Sequence, residues 1–228
     1  MEIQEILNKK LNNRQELKKI IDWIDNDLII VITGSRQVGK TSLIFLTIQE
    51  LFNNFKINPG NIFYFDLEDF EILNLIDSGV KNFVKYILSR AAQKDNRIYI
   101  FIDEIQYLNN PSNFLKLIAD HYKNLKVIAT GSSTLEIKRK FKDSLVGRKI
   151  VINLNTLNFK EYLLFKERKE LYNILNSHNF RLFIDSKSKS TNAISEEIPV
   201  IIKEEIKREF EEFITFGGYP AIVLENNY

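Results

Sequence analysis

One string constrains the fold more than any other. Residues Gly34 to Thr41 read GSRQVGKT, which matches G-x-x-x-x-G-K-[ST] at every fixed position. The apolar run LIIVIT, Leu28 to Thr33, ends immediately before it and reads as a buried strand. A segment of helical periodicity, Ser42 to about Phe52, begins where the string ends. Strand, glycine-rich loop and helix in this order form a cradle for phosphate groups. Glycines let backbone N–H groups turn inward, and the helix N-terminus adds its dipole. The spacing assigns Gly34, Ser35, Arg36, Gln37, Val38, Gly39, Lys40, Thr41 and Ser42 to a nucleotide-phosphate site. Lys40 is the residue that reaches the β- and γ-phosphates, and the Thr41 hydroxyl is a ligand for Mg²⁺.

Four further runs have the character of strands: NIFYFD at 61–66, RIYIFID at 97–103, LKVIAT at 125–130 and the weaker KIVINL at 149–154. Helical periodicity lies between them, over about Val80 to Ala92 and about Ser112 to Tyr122. Two leading segments, with Ile3, Ile6, Leu7 and Leu11, then Leu17, Ile20, Ile21 and Ile24, are also helical in spacing. Trp23 reads as a core residue. Strand and helix alternating in this way predict an open α/β parallel sheet with helices on both faces. Beyond Leu154 the pattern changes. Phe159 to Lys169 and 200–213 read as helices, DSKSKSTNAISEE at 185–197 as a mobile loop, and FGGYP at 216–220 as a turn.

The segment IYIFIDEIQ, 98–106, puts Asp103 and Glu104 at the C-terminal end of a strand. In an open parallel sheet that end faces the ligand. Asp103 suits Mg²⁺ held through water, and Glu104 suits polarisation of the attacking water. A base beside the metal residue favours ATP hydrolysis. No N-K-x-D guanine-reading string occurs in the chain. The string IATGSS, 128–133, offers Thr130 or Ser132 as a hydrogen-bonding partner of the γ-phosphate or the attacking water. Arg36, Arg139 and Arg148 are candidate arginines for phosphoryl transfer. Glu68 and Asp69 form an acidic spot that either faces the site or caps the next segment.

Composition removes competing chemistries. The 228 residues include no cysteine and two histidines, His121 and His178. This excludes thiol catalysis, a cysteine metal cluster and a disulfide-stapled module. It also leaves poor material for a zinc site or a Ser-His-Asp triad. A balance of 32 basic against 30 acidic side chains is no strong footprint for nucleic acid. No apolar stretch approaches the roughly 18–20 residues of a membrane span. The opening MEIQEILNKK lacks the basic and apolar pattern of a signal peptide. The expectation is a cytoplasmic protein with no membrane partner.

Taken together, the motifs resemble those of archaeal and bacterial AAA-like P-loop ATPases in the STAND, or additional-strand, class. GSRQVGKTSL at 34–43, IFIDEIQYL at 100–108, TGSS at 130–133, SLVGRKIVINLNTLNFKEYL at 144–163 and FGGYP at 216–220 carry the likeness. The first two correspond to Walker A and Walker B. The loop has Ser35 where proline is common in the family. The resemblance implies a five-stranded P-loop sheet in the order 5-1-4-3-2, with an ATPase core over 1–155 and a small helical lid over 156–228. It implies ATP and Mg²⁺ as ligands, a sensor role at the TGSS string centred on Ser132, and heightened interest in Arg148. It also implies that the chain stops before a C-terminal winged-helix or nuclease-like domain. Three functions remain in view. They are an ATPase that drives a switch or motor, an ATP-binding regulatory module with little turnover, and an ATPase helper in DNA transactions. Partners would be ATP and ADP, a second copy through self-association, and DNA or protein through the missing domain.

Overall fold

Alternation along the strands divides the apolar residues between two faces of one sheet. A computed structural model describes residues 2–132, 145–177 and 198–225. Arg139, His178 and the segment 185–197 lie outside the described residues. The strands are β1 (Ile29–Gly34), β2 (Ile62–Asp66), β3 (Ile98–Asp103), β4 (Leu125–Ser132) and β5 (Lys149–Asn153). All pairings are parallel, in the order β2-β3-β4-β1-β5. Read from the other edge, this is the expected 5-1-4-3-2. The C-terminal ends of β1 and β3 therefore flank that of β4, with Gly34 paired to Ser132.

On β1, Ile29 and Val31 face one core while Ile30 and Ile32 face the other. The first core is closed by helices α5 (Val80–Arg90) and α6 (Pro111–His121), through Phe83, Ile87, Phe114, Leu115 and Ile118. The second is closed by α3 (Lys40–Asn53) through Leu43, Ile44, Ile48 and Leu51. The short leading helices α1 (Ile3–Leu7) and α2 (Gln15–Ile21) add Ile6 and Ile20 to that face. Helix α4 (Phe70–Asp77) was not anticipated from periodicity. Asp69 caps it, accepting from the N–H groups of Glu71 at 2.9 Å and Ile72 at 3.3 Å. The acidic spot is thus a helix start.

The end of the sheet away from the phosphate loop is tied by two cations. Lys126, buried in β4, donates to the carbonyls of Trp23, Asn26 and Leu28 at 2.7 Å each. Burial pushes its ammonium down to about 8. Arg97 donates to the carbonyls of Asp25 at 2.6 Å and Asn26 at 2.9 Å. Trp23 is 42% exposed, which corrects its reading as core. Ile20 and Ile24 on the same segment fill the apolar positions instead, leaving the indole on the surface.

The chain divides into two units, Met1–Asn155 and Thr156–Tyr228. The described part of the second is helical: α7 (Phe159–Phe165), α8 (Lys169–Ser177), α9 (Val200–Phe216) and α10 (Pro220–Glu225). Asn158 and Glu161 form a reciprocal capping box at the start of α7. Leu157, Tyr162, Leu163, Leu171 and Val223 make its core. Gly218 is required there, because a Cβ would stand 2.3 Å from the Leu157 carbonyl oxygen. Among the described residues, no helix is long and apolar enough to cross a membrane.

Candidate functional site

The phosphate loop takes a shape its sequence allows at few positions. Gly39 has φ +94° and precedes α3 without any side-chain cap. The free N–H groups of the first turn of α3 suit an anion. Gln37 also has φ +64°, a left-handed value that non-glycine residues seldom adopt. Gly34 is fixed by space instead of dihedral, since a Cβ there would lie 2.4 Å from the Leu154 carbonyl oxygen. Ser35, Arg36, Gln37 and Ser42 are exposed around the loop, and Val38 is buried beneath it.

Behind the loop stands a residue that periodicity did not single out. Arg14 is 4% exposed. Its guanidinium donates to the Val38 carbonyl and to the Asn155 carbonyl, each at 2.8 Å. The planar fork of arginine suits two carbonyls from different segments. One side chain thereby joins the start of α2, the phosphate loop and the segment after β5.

The motif residues converge across β1, β3 and β4. Lys40 is buried, with its Nζ 3.2 Å from the Ser35 carbonyl oxygen and 3.5 Å from Glu104 Oε1. The Thr41 hydroxyl donates to Asp103 Oδ2 at 2.6 Å. Tyr64 donates to the same oxygen at 3.2 Å. Burial first, then the charges of Asp103 and Asp66, raise the Tyr64 phenol above its ordinary value of 10.0. It is held as a neutral donor. Tyr64 had no signal beyond its place in a strand. The Thr130 hydroxyl donates to Asp103 Oδ1 and accepts from the Glu104 N–H at 2.9 Å.

Glu104 has φ +55°. This left-handed turn ends β3 and starts a 3-10 turn, Ile105–Tyr107. Such a residue costs of order 1–3 kcal/mol and persists only where its surroundings hold it. Here the N–H meets Thr130, the carbonyl accepts from the Tyr107 N–H at 3.1 Å, and the carboxylate meets Lys40 and Gln106.

The two sensor candidates are placed differently. Thr130 lies inside β4, fully buried, with its hydroxyl on Asp103. Ser132 ends the strand, and its backbone N–H donates to Gln106 Oε1 at 3.3 Å. Arg148 is not brought to the site of its own chain. Its carbonyl accepts from the Ile29 N–H at 2.9 Å, at the start of β1. Gly34 is five residues further along, about 16 Å at strand rise. Parallel register is the reason Arg148, a candidate arginine by sequence, is far from this end of the sheet: the start of β5 must flank the start of β1. Its Nε donates instead to Asp120 Oδ1 at 2.5 Å. His121, at the end of α6, is exposed.

The donor set fits Mg²⁺. Among the described residues no group of three or more His, Cys, Asp or Glu side chains could hold a metal. One carboxylate and one hydroxyl, Asp103 and Thr41, stand together. Magnesium prefers such sparse oxygen ligation, completed by water and substrate phosphates.

Similar proteins agree with this architecture. The chain is 29% identical over 216 residues to the uncharacterized protein MJ1544 of Methanocaldococcus jannaschii, covering 95% of this chain and 40% of that one. It is 24% identical over 219 residues to an uncharacterized protein of Haemophilus influenzae, covering 96% of this chain and 46% of the other. It spans less than half the length of either relative. The structure of C. elegans PCH-2 superposes with a TM-score of 0.59 at 16% identity, over 97% of this chain and 63% of that one. That likeness speaks to the fold. Residues 26–163, more than half of the sequence, match the family described as AAA domain, and the chain belongs to that family.

Proposed function

We propose that this chain is the Mg²⁺-dependent ATP-binding and ATP-hydrolysing part of a conformational switch or motor. AAA membership supports a general role in nucleotide binding and hydrolysis. One observation carries the finer reading. Thr41 and Asp103 are 2.6 Å apart, and Lys40 and Glu104 are 3.5 Å apart, although these pairs are about 60 residues apart in sequence.

In this reading the phosphate loop, Gly34 to Ser42, wraps the nucleotide phosphates with its N–H groups. Lys40 turns from Glu104 towards the β- and γ-phosphates, whose charge exceeds that of one carboxylate. Thr41 and Asp103 would hold Mg²⁺, which when bound neutralises charge across those phosphates. Tyr64 and Thr130 orient the Asp103 carboxylate. Glu104, released by Lys40, accepts a proton from water as the water oxygen bonds to the γ-phosphorus. The bond to the β–γ bridging oxygen breaks, and ADP and phosphate leave. Ser132 at the end of β4 is the proposed sensor. The helical unit acts as a lid that follows the nucleotide state and passes it to an attached domain or partner.

Calorimetric titration with ATP and Mg²⁺ tests the binding half. The wild type is expected to bind, and Lys40→Ala to weaken binding by about tenfold or more. Equal affinity in the two would remove Lys40 from the site. Tight binding with no phosphate release would instead favour the regulatory module.

A further inference from the structure

Gln106 belongs to none of the roles above, yet its side chain ties the proposed base to the end of the neighbouring strand β4. It sits in the 3-10 turn that follows β3. Its amide nitrogen donates to Glu104 Oε2, and its amide oxygen accepts from the Ser132 N–H at 3.3 Å. One planar amide therefore connects a carboxylate at the end of β3 to the backbone at the end of β4. The left-handed Glu104 makes this possible, because it folds residue 106 back over residue 104. Glu104 is otherwise held on its side chain by Lys40 at 3.5 Å, the residue whose charge the nucleotide phosphates would claim.

We infer that Gln106 is a positioning residue for Glu104, which fixes the carboxylate relative to the end of β4 once Lys40 engages phosphate. The inference rests on the proposed role of Glu104. The chemistry is specific to an amide: it must donate to a carboxylate and accept from an N–H at once. Leucine does neither, and glutamate would set an anion against an anion.

The test uses the whole chain and reads binding and turnover separately. Steady-state phosphate release at saturating ATP and the affinity for a fluorescent ATP analogue are measured for wild type, Gln106→Leu, Gln106→Glu, Glu104→Gln and Glu104→Gln/Gln106→Leu. Gln106→Leu and Gln106→Glu are expected to lower kcat by about tenfold or more, with affinity within about twofold. In the Glu104→Gln background, Gln106→Leu is expected to change the residual rate by less than about twofold, because residues that act as a unit are not additive. A purely structural role would lower the rate by the same factor in both backgrounds, which overturns the inference. Wild-type kcat in both Gln106 single variants, with Glu104→Gln inactive, also overturns it and leaves the parent reading intact. No turnover by the wild type, or undiminished turnover by Glu104→Gln, overturns the parent reading and this inference together.

Discussion

Asp103 accepts hydrogen bonds from Thr41, Tyr64 and Thr130, on three different elements. Lys40, Thr41, Asp103 and Glu104, which stand together in the structure, were legible in the sequence as candidates because their motif spacing is local and their chemistry is stereotyped. Arg14, Tyr64 and Gln106 were not. Each acts through a partner that only the fold brings near, as when Arg14 reaches Val38 and Asn155. Arg14→Met is expected to weaken ATP binding by about three- to tenfold, since the loop carbonyl loses its buried donor. Arg14→Lys should rescue little of it, because a single ammonium lacks the fork that spans two carbonyls. Affinity by calorimetry, with unfolding temperature as a control, measures both.

Elements followed from short apolar runs bounded by polar breaks, and the five strands lie within a few residues of those runs. Helix α4 is short, but its signals were present: the Asp69 cap, and Ile72, Leu73 and Ile76 at helical spacing against one core. The placement of Arg148 escaped because strand direction decides which end of β5 meets the loop. Lys126→Met removes the donor shared by the Trp23, Asn26 and Leu28 carbonyls, of which Asn26 keeps Arg97, and should cost roughly 1–3 kcal/mol in denaturant unfolding. Arg148→Ala should leave ATP affinity within about twofold, since Arg148 is at the far end of the sheet. The same variant should unfold at higher pH on acidification. The hydrogen bond from Arg148 holds Asp120 below its ordinary value of 3.8. Its contribution is present above that value and lost as pH falls through the lower folded one. An acid titration followed by circular dichroism reads the shift.

For the whole molecule, the two units have separate cores. The first holds every residue proposed for the chemistry, and the second is read as the element that responds. The central proposal is that Glu104 is the base of an ATP hydrolysis carried out by this sheet. Steady-state phosphate release with Mg²⁺ and ATP, compared between wild type and Glu104→Gln, tests that most directly. The wild type is expected to release phosphate and the variant to fall by about a hundredfold or more, with ATP still bound. Equal rates in the two proteins would contradict it.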